Sequence, residues 1–337
     1  MARRPRIEFA GAVYHVISRG DHGEVIFGDD KDRGEFLRCM GEVCGRTGWF
    51  IHAFVLMSNH YHMLLETPEA NLVAGMKWLQ GTYTQRFNLR HGIRGHLFQG
   101  RYKALVVDGE GKGYFLQASS YIHLNPVRAG LVQADYSLGT YRWSSYPFYL
   151  VSRAKRLKWI YVDRVLGELG DHRDNERGRK IYGRYMEDLS KEYRQSEERE
   201  EFNMKWKPLR EGWYLGDEEF RDHLISFLDR AIHGKKRESF SGDELREHGE
   251  AQAERFLRKG LRELELTNHD LQGRAKGVEE KQVLAWWLRK KTIVSRKWIS
   301  ERLQMGDASR VSKALNIVSS AKDSHIRKIK ERLEGSP

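Results

Sequence analysis

The chain reads as an α+β protein, an antiparallel sheet with helices followed by an all-α region that ends in a helix-turn-helix candidate. Three observations predict this. Strand-like and helix-like stretches alternate from residue 11 to about 150. Beyond that the sequence turns charge-rich and helical, with 173–179 and 190–201 almost wholly polar. From 276 to 337 there are 15 basic and 7 acidic side chains, a net of +8 within the chain total of +12.

In order, Val13 to Ile17, Ile51 to Leu56, His60 to Glu66 and Ala104 to Val107 are the strand-like runs. Asp30 to Thr47, Leu72 to Leu89 and Gly113 to Asn125 are the helical ones. This order predicts a mainly antiparallel four-stranded sheet with helices on one face. Ser58-Asn59 is a tight turn between two apolar strands. Pro126 cannot continue the interior hydrogen-bond pattern of a helix, so a helix is expected to end there. Phe220, Leu224, Phe227 and Leu228 recur at helical spacing after a Gly212–Asp217 turn. In the last segment Glu279 to Arg289, Arg296 to Leu303 with Ser295 as its cap, and Ala308 to Val318 read as three helices, with a turn at Gln304–Asp307. The expected domains are 1–150, catalytic; 151–275, a charged helical linker or small helical unit; and 276–337, basic and helix-turn-helix-like.

Composition bounds the function. With Lys plus Arg 59 against Asp plus Glu 47 and a pI near 9.5, the chain suits phosphate-rich partners. Mean hydropathy is −0.69, no run of eighteen apolar residues exists, and the basic N-terminus lacks the apolar core of a signal peptide, so no membrane partner and a cytoplasmic location are expected. Two cysteines, Cys39 and Cys44, five residues apart on a helix, read as core thiols.

His60 and His62 are two apart on a strand and therefore share one face of the sheet near a strand end, a place for a metal. Tyr121 and Asn125 are one helical turn apart, which puts a phenol and an amide oxygen on one helix face. If that face lies over the histidines, one divalent cation, Mg or Mn, can bind both imidazoles and the amide while Tyr121 acts as a nucleophile. A structural zinc site is disfavoured, because no set of four Cys and His ligands occurs.

These residues carry a family resemblance. His60-Tyr61-His62, Tyr121 with Asn125, Arg101-Tyr102-Lys103 and the run Tyr121 to Gly130 (Tyr-Ile-His-Leu-Asn-Pro-Val-Arg-Ala-Gly) resemble the IS200-type single-tyrosine transposases with a His-hydrophobe-His motif, most closely the REP-associated ones. The likeness runs from Gly11 to Tyr146. Tyr61 fills the bulky hydrophobe's place, and Asn125 stands where many members have Gln. The resemblance implies a ferredoxin-like core and a metal-dependent endonuclease and strand transferase acting on single-stranded, hairpin-forming repeat DNA. It also implies a 5′-phosphotyrosine intermediate at Tyr121. The alternative is a domesticated regulator that binds repeats without cutting.

Arg101 and Lys103 are expected to hold single-stranded DNA. Duplex DNA is expected at the C-terminal region, with Ser309, Arg310, Ser312 and Lys313 toward the major groove and Arg296 and Lys297 nearer the backbone. A monomer is favoured over a dimer. His15 reads as a hydrogen-bonded sheet residue, and His123 points away from Tyr121 on the helix.

Overall fold

The computed structural model describes residues 6–110, 113–133, 135–170, 174–195, 204, 206–232, 243–292, 294–320 and 324–334. They fall into two units, 6–227 and 228–337.

In the first unit, runs rich in Val, Ile, Leu and aromatics make β1 (Ala12–Arg19), β2 (Phe50–Leu56), β3 (His60–Thr67) and β4 (Lys103–Val107). Between them lie α1 (Asp30–Thr47) and α2 (Leu72–His91). The strands stand in the order β2-β3-β1-β4, antiparallel throughout, which is the ferredoxin-like arrangement expected. The two-residue strand β5 (Tyr214–Leu215) adds in parallel to β4, so the sheet is mixed and five-stranded.

Asp29 caps α1 by accepting from the backbone N–H of Lys31 and Asp32, and Gly48 ends it at a φ of 73° that favours glycine. α1 and α2 cover the sheet face to which Tyr61 points: Tyr61 packs on Phe36 of α1 and its hydroxyl accepts from Gln80 of α2. α3 (Tyr114–Arg128) lies on the opposite face, where Tyr121 meets His62. Helices on one face alone are thus not what forms. The two crossover helices share a face, and the third closes the other.

Pro126 lies inside α3, which runs on to Arg128. The missing N–H leaves the Ile122 carbonyl without its usual partner. The Asn125 side-chain amide donates to Tyr121 O at 2.9 Å and reaches Ile122 O at 3.4 Å, so the helix survives the proline.

The units divide at 227/228 rather than near 150. Part of the stretch expected to be a linker packs with the sheet instead. Tyr182, on the helix Glu176–Gln195, accepts or donates through its hydroxyl with His123 Nδ1 at 2.7 Å, and Ser145 Oγ meets His123 Nε2 at 2.7 Å. Trp206 and Trp213 are buried in the same unit. Cys39 and Cys44 are free and buried, as expected of core thiols, and burial pushes the Cys44 thiol up to about 12.

In the second unit the helices Asp243–Glu263, Asn268–Gly273, Glu279–Lys291, Arg296–Arg302, Ala308–Ser320 and Ser324–Glu334 surround a core that includes Leu257, Leu284, Trp287, Ile299, Val311 and Ile329. Ser295 caps its helix by accepting from Trp298 N at 3.1 Å. Because Leu257 and Leu261 belong to this core, the unit begins well before 276.

Candidate active site

The β2–β3 hairpin places the histidine pair. Met57 N donates to His60 O at 2.8 Å across the turn, and β3 starts at His60. The two rings lie on one face with centroids 5.2 Å apart and planes at 76°. Two imidazoles sharing a cation at about 2.1 Å, at angles between a right angle and the tetrahedral one, have centroids about 4.5–5.2 Å apart. The pair fits that spacing.

Hydrogen bonding sets which nitrogen is open. Asn59 Nδ2 donates to Gly23 O at 3.0 Å, which turns Asn59 Oδ1 toward His60 Nδ1 at 2.7 Å. His60 must therefore carry its proton on Nδ1, leaving the Nε2 lone pair available. His62 Nδ1 stands 2.9 Å from Nε2 of His15, the residue on β1 diagonally across from it. When His62 donates there, its Nε2 is open as well. An outer acceptor on the second ring nitrogen is the usual arrangement for a metal-binding histidine.

All three rings are held neutral. Burial, then Lys103, pushes His15 down to about 3. Burial, then His15 and His60, holds His62 well below the ordinary range, and burial, then Arg19, lowers His60. A neutral imidazole keeps the lone pair that ligation needs.

Over this face α3 lays Tyr121 and Asn125, both buried. The Tyr121 ring meets His15 at 5.6 Å and His62 at 5.8 Å, edge-on in both cases, and Trp206 at 5.8 Å. Arg128 stacks on the ring with its guanidinium carbon 4.6 Å from the centroid. Asn125 spends its amide N–H on its own helix, so Oδ1 is the atom it can offer a cation. Among the described residues no group of three or more His, Cys, Asp or Glu side chains gathers to hold an ion, so a cation here depends on that amide oxygen. The donor set of two imidazole nitrogens and one amide oxygen fits a divalent cation that accepts mixed ligands.

Lys103 starts β4 on the same face, opposite Ile17, and its Nζ donates to Arg210 O at 2.5 Å. Arg101, just before it, is exposed. Sequence reasoning passed over Trp206 and Arg128. Arg128 follows Tyr121 by seven residues, two helical turns, a signal that was present. Trp206 gave none, since it reaches the Tyr121 ring from 85 residues further along the chain. A cleft lined by Phe9, Glu66, Asp108 and Phe220 lies elsewhere, at the opposite strand ends from His60.

The remaining expected residues sit in the second unit. Arg296, Lys297, Ser309, Arg310 and Lys313 are exposed. Ser309 is committed to the helix start, its hydroxyl donating to Asp307 at 2.5 Å. Ser312 is half-buried and donates back to Ala308 O at 3.3 Å. Arg310 and Lys313, with Asn316 one further turn on, form the outward strip of the helix Ala308–Ser320.

No helix among the described residues is long and apolar enough to cross a membrane. Residues 9–125, 117 of the 337, match the family model described as Transposase IS200 like. A solved structure of a REP-associated tyrosine transposase bound to a REP hairpin aligns at 15% identity with a TM-score of 0.38, over 44% of this chain and 86% of that one. No curated protein matches the chain.

Proposed function

We propose that this chain, whose residues 9–125 carry the IS200-like transposase match, is a single-stranded DNA endonuclease and strand transferase that works through a 5′-phosphotyrosine at Tyr121. The observation that carries the reading is the contact of the Tyr121 ring with His62, on the same sheet face where His60 and His62 stand at a spacing fit for one cation. The substrate is hairpin-forming repeat DNA, a reading that rests on the likeness of the Tyr121–Gly130 phrase to the REP-associated enzymes.

His60 Nε2, His62 Nε2 and Asn125 Oδ1 would hold Mg or Mn. Such a cation supplies charge neutralisation at the scissile phosphate. The chain's own residues do the rest. Asn59 and His15 fix the orientation of the two imidazoles. α3, held rigid by its packing on the sheet, presents the phenol, and effective concentration replaces diffusion. Arg101 and Lys103 bind the strand's phosphates, and the phosphotyrosine conserves the energy of the broken bond so that a 3′ hydroxyl can later reverse the step. In the second unit Arg310 and Lys313 face the major groove of duplex DNA, with Arg296 and Lys297 on its backbone. The chain acts as a monomer in the cytoplasm.

The test is incubation of labelled single-stranded hairpin DNA from the sequence flanking the gene with wild type and Tyr121→Phe, in Mg, Mn or EDTA, on a denaturing protein gel. A metal-dependent shifted band absent from the Phe variant is expected. Tight hairpin binding with no shifted band would instead favour the non-cutting regulator.

A further inference from the structure

We propose that Arg128 is a further catalytic residue, whose guanidinium donates to a non-bridging oxygen of the scissile phosphate; the inference rests on Tyr121 being the nucleophile. Arg128 lies three residues beyond the end of the family match. Tyr121, Asn125 and Arg128 stand at spacings of four and three along α3, so they make one strip facing the sheet histidines.

Other described arginines share one or other feature of Arg128, Arg164 stacking on Phe115 and Arg33 leaving a buried Nε unmatched, but both of these also meet a carboxylate. Arg86 is paired with Glu42 and Glu35, Arg90 with Asp29 and Asp32, and Arg164 with Glu66. Arg128 instead lies on the face of the Tyr121 ring, and its Nε and Nη1 are buried with no hydrogen-bond partner. A buried donor left unmatched is costly, more so when it carries charge. Such a group is completed by water, by an ion or by a ligand, or serves in catalysis. An anion with hydrogen-bond acceptors matches such a charged donor best, provided that it reaches a guanidinium 4.6 Å from the ring of the attacking phenol. A backbone phosphate brought to Tyr121 meets both conditions.

In the step itself, the Tyr121 oxygen forms its bond to phosphorus as the bond from phosphorus to the 3′ oxygen breaks. The phenol's proton passes to water and the departing 3′ oxygen takes one from water, so protons and charge balance. Negative charge accumulates on the non-bridging oxygens during this exchange. A fixed guanidinium then binds the transition state more strongly than the ground state.

The experiment uses the full chain and the labelled hairpin strand under single-turnover conditions. Adduct formation is timed for wild type, Arg128→Lys and Arg128→Gln, with thermal melts to establish that each variant is folded. Arg128→Gln should slow the adduct by about 10²-fold with a smaller, roughly few-fold loss of hairpin affinity, and Arg128→Lys should recover part of both losses. A methylphosphonate at the cleaved linkage replaces one charged oxygen by a methyl group. It should slow wild type strongly and Arg128→Gln hardly further, because the charge that Arg128 reads is gone in both. Equal slowing of the two proteins overturns the proposal, as does an Arg128→Gln rate equal to wild type.

A binding arm separates this from failure of the Tyr121 reading. A series of strands, each with one methylphosphonate, is bound to Tyr121→Phe with and without Arg128→Gln. One linkage should lose affinity only where Arg128 is present, even if wild type gives no adduct. No such linkage sinks the Arg128 assignment by itself.

Discussion

In residues 6–227 the candidate site is largely inside: His15, His62, Tyr121 and Asn125 are buried, His60 is half-buried, and each is held by a named neighbour. In residues 228–337 the described groups suited to DNA are outside. Arg296, Lys297, Arg310 and Lys313 are exposed, and the buried set is almost wholly apolar, with Lys281 satisfied by the carbonyls of Arg274 and Gln304. Chemistry requires desolvated groups whose orientation is fixed, and burial supplies both. Groove binding needs solvated cations that can exchange counterions, and a helix surface supplies those.

The contrast is tested first by Tyr121→Phe. Loss of the phenolic hydroxyl should reduce adduct formation by about 10³-fold or more, while duplex affinity stays as it was. If both activities fall together, the division of labour between the units is wrong.

Acid should come next in size. Burial pushes His123 down to about 3, whereas an unfolded histidine titrates near 6.5. The unfolded state therefore binds the extra proton, so this stability is fully present above about pH 6.5 and is lost as pH falls toward 3. At pH 5 the loss is roughly 2 kcal/mol. Among the described residues of the second unit no histidine is buried, so the loss should be larger in the first unit. Pulse proteolysis in urea at about pH 7.5 and about pH 5, read by peptides from each unit, checks this. Parallel losses in both units would contradict it.

Smaller effects sharpen the second half of the comparison. Arg310→Ala or Lys313→Ala should weaken duplex binding by about tenfold and reduce its salt dependence, leaving adduct chemistry on single strands unchanged. Ser295→Ala removes a helix cap and should cost the second unit about 1 kcal/mol by urea unfolding, with the first unit unmoved.

How much of this was written locally explains what could be read in advance. The strands of the ferredoxin-like core and the His60–His62 pair follow from alternation over a few residues, and Tyr121 with Asn125 from one helical turn. The Ser295 cap is likewise local. The side of the sheet taken by α3 was not legible, because both faces of β1 and β3 are buried and apolarity does not distinguish them. The role of Pro126 was misjudged because the Asn125 amide, a neighbour with a different expected task, bridges the broken ladder. The inner surroundings of Tyr121 come from residue 206, and nothing about a tryptophan in a polar stretch announces its partner 85 residues away.

The parallel pairing of β5 with β4 also has a consequence during synthesis. Val106 pairs with Tyr214, 108 residues later in the chain. At about 5–20 residues per second, a ribosome takes on the order of 5–20 s to deliver the closing strand. Throughout that interval the nascent sheet presents β4 as an open edge, a template for pairing with another chain. Crowded polysomes should thus favour misassembly at this edge, and slowing elongation between codons 107 and 214 should raise the aggregated fraction of newly made protein.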